Sequence, residues 1–318
     1  MDSFRRVPRR RVAGLSLELS SISIAIDPSP SAGAESDALA IASLRRAWER
    51  GVTTFDLSGA RAPERAELLL ATAFPDPDPE RTVILRGRTG ESAAAPRGPT
   101  PPRVPDEVLS ASLAESVAVS SQRMKLVSPP LLVAWRAEPG AGETDPTSAA
   151  FERLRSEGII RAWAMRLRRG GGLPPLSYGP ARHELFSGPL SLVERALVPE
   201  LESRSRTSSL GLIATDPFAG GLLDGTRFSE SLLERPIGVG PVQLRKMQEE
   251  FAPVLSLGFL TEKRRRTLSE AALLYALHWP WVATVAVPLP APERLDRLLD
   301  VERATPLSAE ELERLDSI

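Results

Sequence analysis

The chain has 318 residues, a net charge of −1 at neutral pH and no cysteine. Its length suits one large domain. The lack of cysteine excludes disulfides, thiolate metal sites and cysteine nucleophiles, and we expect no metal centre. The near-zero charge gives no general attraction to nucleic acid. No apolar run approaches the roughly 20 residues that cross a bilayer, and no signal peptide is evident, so we expect a cytoplasmic protein.

Arginine dominates the basic residues, supplying 37 of the 40 basic side chains, and asparagine is absent. Low contents of Asn, Gln, Cys and Met suit a thermophilic protein because these residues degrade on heating. A GC-rich genome would also favour arginine over lysine. The composition leaves both explanations open.

Strand and helix patterns alternate from one end of the chain to the other. Strands are predicted at residues 17–26, 52–55, 83–85, 131–135, 162–165, around 186, 210–215 and 284–288. Helices are predicted at residues 38–49, 64–74, 106–119, 146–157, 269–278 and 292–301, with an exposed loop at 91–105. This alternation indicates an α/β fold with a parallel sheet. No linker divides the chain, so residues 1–318 are predicted to form one domain.

Five stretches of the chain carry a resemblance to a known family. They are residues 51–56 (GVTTFD) with 67–73 (ELLLATA), 151–162 (FERLRSEGIIRA), 215–225 (TDPFAGGLLDG), 281–288 (WVATVAVP) and 307–312 (LSAEEL). In order and spacing they resemble the aldo/keto reductases, whose second strand reads roughly G-V-x-x-F-D-T-A-x-x-Y-G. The resemblance implies a (β/α)8 TIM barrel with its chemistry at the carboxyl ends of the strands. It also implies NADPH-dependent carbonyl reduction by an Asp, Tyr, Lys and His set, in which Tyr gives the proton.

Most positions of that catalytic set hold other residues in this chain. The Asp is kept as Asp56. The Tyr position is Arg61, the Lys position falls on Arg88, with Arg86 as the nearest alternative, and the His position falls on Trp135. A guanidinium keeps its proton above about pH 12, so it polarises an oxygen without protonating it, and an indole has no basic nitrogen. We therefore expect Asp56 to form an ion pair with Arg61 or Arg88.

The positions that hold NADPH in the family are altered as well. The family's cofactor positions are matched by Arg166, Leu167, Ser187 and Leu190 on the nicotinamide side, by Asp216, Pro217 and Phe218 after the seventh strand, and by Pro288, Leu289, Arg294 and Arg297 on the phosphate and adenine side. Leu289 stands where the family has Gly, and its Cβ obstructs a backbone nest for an anion. We therefore do not expect NADPH, the cofactor that the resemblance implies, to bind in the usual manner.

Two hypotheses about function follow, and a third stays open. The first is an aldo/keto reductase homologue without reductase activity, serving as a binding or structural protein. It would act within an oligomer, or with an acidic partner or anionic ligand drawn to an arginine-rich rim. The second is a divergent NADP-dependent oxidoreductase for aldehydes or ketones, with Tyr178 or a water held on Arg61 as the acid. The third is a different enzyme class that uses Asp56 as a base.

Overall fold

The computed structural model describes residues 6–12, 14–31, 33–87, 106–134, 146–173, 183–227, 240–264 and 266–318. Eight parallel strands close into a barrel in which each strand pairs with the next along the chain and the last pairs with the first. A short antiparallel hairpin precedes them. The strands are β1 (Arg9–Arg11) and β2 (Glu18–Ser20) in the hairpin, and β3 (Ile22–Ala25), β4 (Thr54–Asp56), β5 (Thr82–Gly87), β6 (Leu131–Ala134), β7 (Ala162–Arg166), β8 (His183–Pro189), β9 (Ser209–Thr215) and β10 (Val282–Pro288) in the barrel.

Helices cover the outside of the barrel. They are α1 (Ala34–Glu49), α2 (Pro63–Ala73), α3 (Asp106–Met124), α4 (Pro146–Ser156), α5 (Val198–Ser205), α6 (Pro241–Leu255), α7 (Leu268–His278), α8 (Pro292–Leu299) and α9 (Ala309–Asp316). The (β/α)8 fold expected from the sequence is therefore confirmed. None of the helices in the described ranges is long and apolar enough to cross a membrane.

The extended chain predicted at residues 17–26 forms two strands, β2 and β3. The chain bends at Ser21, so β2 pairs with β1 below the barrel and only β3 enters the barrel sheet. The bend lets Leu17 and Leu19 pack into the apolar interior at the amino end of the barrel. Burying these two side chains there favours the hairpin over a continuous strand.

Two apolar clusters fill the molecule. One lies inside the barrel and the other lies between the barrel and its helices. Because side chains alternate along a strand, residues two positions after an inward-facing residue also face inward. Ile84, Ala164 and Leu185 belong to the interior cluster. The alternation therefore points Arg86, Arg166 and Ser187 into the barrel near the carboxyl ends of the strands, which we call the mouth.

Candidate functional site

Asp56 ends β4 and lies at the mouth with only 4% of its surface exposed. Its register partner is Ile84, whose side chain faces the barrel interior. Its Oδ1 accepts a hydrogen bond of 2.8 Å from the backbone N–H of Ser58. Burial raises the pKa of Asp56, and the Ser58 hydrogen bond and the charges of Arg166 and Arg86 oppose that rise only in part.

Among the described residues, Arg86 and Arg166 carry the positive charges that act on Asp56. Arg86 is half-buried, and its Nε donates to the carbonyl of Ser58 at 2.8 Å while Nη2 donates to that of Ala60 at 3.4 Å. Arg166 is half-buried too, and burial lowers its pKa while Asp56 raises it. The mouth thus holds a carboxylate and two guanidinium groups that have lost most of their contact with water.

Arg61 does not join this group, so the expected pairing with Asp56 is wrong for Arg61. Its Nε donates to Oδ2 of Asp27 at 2.9 Å, and its backbone N–H donates to Oδ1 of the same residue at 2.8 Å. The side chain is 69% exposed. The loop after β4 turns so that Ala60 is buried and Arg61 faces outward. Spacing alone aligned Arg61 with the family's Tyr and gave no information on side-chain direction.

Asp27 and Ser58 are site residues that sequence reasoning missed. Asp27 lies two residues after the end of β3, and Ser58 lies two residues after the end of β4. The rule that residues after barrel strands carry the chemistry could have identified both. Arg88, Trp135 and Tyr178 lie outside the described residues, as does the loop expected at 91–105.

Two serine hydroxyls are buried beside the arginines. Ser187 is Arg166's register partner on β8, and Ser58 bonds to both Asp56 and Arg86 through its backbone. The Oγ atoms of both serines are buried and have no hydrogen-bond partner within the described ranges. A buried hydroxyl without a partner costs about 1–3 kcal/mol.

The nicotinamide-side position next to Arg166 is filled by an apolar side chain. Leu167 is buried, and its Cβ would lie 2.9 Å from a Cβ added to Gly188. Its backbone N–H donates to the carbonyl of Ser187 at 2.7 Å. Leu167 therefore fills the space between β7 and β8 without offering a side-chain hydrogen bond.

An ion-pair cluster crosses the rim from the β7 loop to the loops after β8 and β9. Arg169 pairs with Asp216 and lies 3.6 Å from Glu194. Asp216 adopts a positive φ of 54°, and its Oδ1 accepts the N–H of Gly220 at 2.6 Å. The next residues, Pro217 and Phe218, are buried. The carboxylate of Asp216 thus already accepts the backbone N–H of Gly220, in the segment that corresponds to the family's cofactor loop.

The phosphate-side positions lie after β10 and on α8. Pro288 is exposed at the end of β10, and the N–H of Leu289 donates to the carbonyl of Ala25 at 3.0 Å. Arg294 donates to the carbonyl of Asp224 at 3.1 Å, and Arg297 is exposed. The Leu289 N–H is therefore already used within the sheet.

Other features of the described residues lie away from the mouth. A cavity of about 520 Å³ opens at the amino end of the barrel, beside Arg9, Arg11, Glu18, Glu80 and Arg161. Arg9 and Glu80 form an ion pair of 2.8 Å there. Within the described ranges no group of three or more His, Asp or Glu side chains is arranged to hold a metal ion.

Comparisons with known proteins agree with the barrel fold. The family model described as aldo/keto reductase family matches residues 29–318. An aldo-keto reductase from Bacillus halodurans, in its apo form, superposes with a TM-score of 0.66 at 20% identity, covering 98% of this chain and 96% of that one. An aldo/keto reductase from Klebsiella pneumoniae in complex with NADP and acetate gives 0.63 at 18% identity, covering 94% and 91%. A glycerol dehydrogenase from Gluconobacter oxydans gives 0.68 at 18% identity, covering 97% and 94%. No curated protein matches the chain.

Proposed function

The chain belongs to the aldo/keto reductase family, and we propose that it is a binding protein of that fold. Its barrel mouth takes a small anion, and it does not reduce carbonyls by the family's phenol route. The observation that carries the proposal is the arrangement of charges at the mouth. Asp56 is buried beside Arg86 and Arg166, while Arg61, at the phenol's position, faces solvent and pairs with Asp27.

Carbonyl reduction needs a group that releases a proton as the oxygen gains negative charge. Arg61 holds its proton at every ordinary pH, and its side chain is turned away from the mouth. Arg86 and Arg166 can polarise an oxygen in the same way, but neither gives up a proton. These groups therefore favour holding an anion over protonating an alkoxide.

The residues at the cofactor positions do not fit NADPH in the family's manner. Leu167 offers no side-chain hydrogen bond to a carboxamide, the Leu289 N–H is engaged with Ala25, and the Asp216 carboxylate is paired with Arg169 and already accepts the N–H of Gly220. Each of these features weakens a contact of a different part of the cofactor. Together they support a ligand other than NADPH.

The test combines a turnover assay with ligand binding. The purified protein is incubated with NADPH and a panel of aldehydes and ketones, and NADPH fluorescence and melting temperature are followed. We expect neither turnover nor saturable NADPH binding, whereas small anions at constant ionic strength raise the melting temperature. Asp56→Asn, purified identically, is the control for contaminating reductases. Steady NADPH-dependent turnover that the wild type shows and Asp56→Asn lacks would refute the proposal.

A divergent NADP-dependent oxidoreductase is the second candidate. The retained Asp56 favours it, as does the NADP complex of the Klebsiella pneumoniae protein. In that case the acid is Tyr178 or a water on Arg61. Turnover that is lost in Tyr178→Phe and kept in Arg61→Gln would assign the acid to Tyr178, and the reverse pattern would assign it to the water.

A further inference from the structure

The cavity at the amino end of the barrel lies at the opposite end from the mouth. Its volume of about 520 Å³ falls within the range of roughly 300–1,000 Å³ that is usual for small-molecule sites. The hairpin lines it with Arg9, Arg11 and Glu18, and the segments just before β5 and β7 line it with Glu80 and Arg161. A ligand in this cavity would therefore contact both the hairpin and the barrel.

Two opposite charges of the hairpin line the cavity without pairing with each other. Arg11 and Glu18 are register partners, and residues directly opposite in an antiparallel ladder have Cβ atoms about 4.5–5.5 Å apart. Both side chains are exposed, and neither forms an ion pair or a side-chain hydrogen bond within the described part of the chain. One guanidinium and one carboxylate are therefore available to a ligand.

Arg161 brings a second guanidinium to the cavity. Its Nη2 donates to the backbone carbonyl of Ser16 at 3.3 Å, and among the described residues it has no carboxylate partner. Arg9 and Glu80, in contrast, neutralise each other in an ion pair of 2.8 Å. With that pair set aside, the wall presents two positive charges and one negative charge to a ligand.

We propose that this cavity binds a free acidic amino acid, with its two carboxylates on Arg11 and Arg161 and its ammonium on Glu18. Such a ligand carries two negative charges and one positive charge, the inverse of the set that the wall leaves unpaired. A guanidinium holds a carboxylate through paired N–H donors, and a carboxylate accepts hydrogen bonds from an ammonium. This site is separate from the mouth, so the proposal goes beyond the proposed function.

Glu18 distinguishes an acidic amino acid from simpler anions. A dicarboxylate without an ammonium, or inorganic phosphate, would place a like charge beside the Glu18 carboxylate, and such a repulsive element gives specificity. An amino acid with one carboxylate would leave one of the two guanidinium groups without a charged partner. Leu15, Leu17 and Pro79 also line the cavity, and they can contact the methylene groups of the ligand.

Isothermal titration of the full chain with L-glutamate and L-aspartate tests the proposal. Glutarate differs from L-glutamate by the absence of the ammonium, and L-glutamine differs by an amide in place of the side-chain carboxylate. Inorganic phosphate is the simple anion, and chloride holds the ionic strength constant. We expect saturable binding of at least one acidic amino acid, at least tenfold tighter than that of glutarate, L-glutamine or phosphate.

Variants on the cavity wall locate the site. Arg11→Gln and Arg161→Gln should each weaken binding of the acidic amino acid at least tenfold. Glu18→Gln should weaken it as well, and it should strengthen glutarate binding because a repelling charge is removed. Arg11 and Glu18 are exposed and unpaired within the described ranges, so their variants should fold as the wild type does. Arg206→Gln, at an exposed arginine that does not line the cavity, should leave binding unchanged.

Each part of the proposal can fail by itself. Glutarate or phosphate that binds as tightly as L-glutamate would overturn the role of the ammonium, and L-glutamine that does so would overturn the role of the second carboxylate. Binding that Arg11→Gln, Arg161→Gln and Glu18→Gln all leave unchanged would overturn the location. No saturable binding of either acidic amino acid would overturn the proposal as a whole, and the proposed function of the mouth would still stand.

Discussion

Asp56 and Asp296 show how the surroundings of one residue type decide its protonation. At Asp56 burial dominates and raises the pKa, although Ser58 and two arginines oppose it. At Asp296 burial also acts to raise the pKa, but hydrogen bonds from Arg46 and Arg50 outweigh it, and the pKa is lowered. The direction of the shift follows from the balance of two effects, because Asp56 is almost fully buried whereas Asp296 is 35% exposed and its carboxylate accepts hydrogen bonds from two guanidinium groups.

The two shifts predict opposite effects of pH on stability. A carboxyl whose folded pKa is raised binds more protons in the folded state, so it adds stability as pH falls. The free energy of unfolding of the wild type relative to Asp56→Asn should therefore rise as pH falls through the raised pKa of Asp56. The gain is complete below the ordinary carboxyl pKa of 3.8.

Urea denaturation from about pH 8 to about pH 2 measures this difference. Asp296→Asn is the matched control. The lowered pKa of Asp296 contributes stability that is present above 3.8 and lost as pH falls, so the wild type should lose stability relative to that variant. Parallel pH profiles for the wild type and Asp56→Asn would contradict the burial of Asp56.

At the scale of helices and strands, arginine side chains donate hydrogen bonds to backbone carbonyls at the ends of these elements. The guanidinium of Arg10 donates to the carbonyls of Leu277, Trp279 and Val282, where α7 ends and β10 begins. Arg45 on α1 donates to the last carbonyls of α2. Because five donors radiate from one planar group, an arginine can satisfy several orphan carbonyls at a helix end, which lysine does less well. This use gives the arginine-rich composition a structural role.

Arg81 ties the ends of two helices together and provides a test of that role. Only 3% of its surface is exposed, and it donates to the carbonyls of Phe74 after α2 and Met124 at the end of α3 at 3.3 Å each. Arg81→Met keeps the length of the side chain but leaves buried carbonyls without partners. We expect a loss of about 3 kcal/mol in the free energy of unfolding.

Chemical denaturation of Arg81→Met is best compared with Arg206→Met. Arg206 is 73% exposed and, among the residues that the structure describes, pairs only with Glu202 one turn away, so its replacement should change stability by less than about 0.5 kcal/mol. Equal stabilities of the two variants would show that Arg81 does not hold the helix ends.

Elements with a clear pattern were predictable from the sequence, and short or interrupted elements were not. Thr267 and Glu270 match the sequence pattern of a capping box, and they form one at the start of α7. Helix α5 was missed because its eight residues bury only Val198 and Leu201, too few to show a period. Helix α6 was missed because Pro253 interrupts its apolar stripe. Helix α3 runs five residues past its expected end because buried Met124 holds its last turn.

The site was predictable in its positions but not in its side-chain directions. Asp56 and Arg166 lie at the mouth because barrel strands bring their carboxyl ends together, as the alternating pattern implies. The outward turn of Arg61 depends on Asp27, which is distant in sequence. Contacts between residues far apart in the chain leave no periodic signal, so spacing could not reveal this pair.

At the scale of the whole molecule, the barrel interior changes character from one end to the other. Leu17 and Leu19 of the hairpin region pack into an apolar interior at the amino end. Toward the mouth, Asp56, Arg86 and Arg166 replace the aliphatic side chains. The apolar end stabilises the barrel, and its burial offsets the cost of keeping charges at the other end.

The apolar interior at the amino end of the barrel leads to a prediction that the chain unfolds as one domain. Leu19 is fully buried, and Leu19→Ala leaves a cavity beneath the barrel. We expect a loss of about 3 kcal/mol and a fall of several degrees in Tm. Because the interior cluster joins the hairpin to six of the barrel strands, the variant should still unfold in one transition.

Circular dichroism and tryptophan fluorescence, recorded during the same thermal scan, test this prediction. Leu68→Ala is the matched control, since Leu68 is 56% exposed on α2 and its truncation should cost less than about 0.5 kcal/mol. A loss for Leu19→Ala no larger than for Leu68→Ala would show that the hairpin does not close the barrel. Two separate transitions in the wild type would contradict a single domain, because elements that share one core lose their packing together.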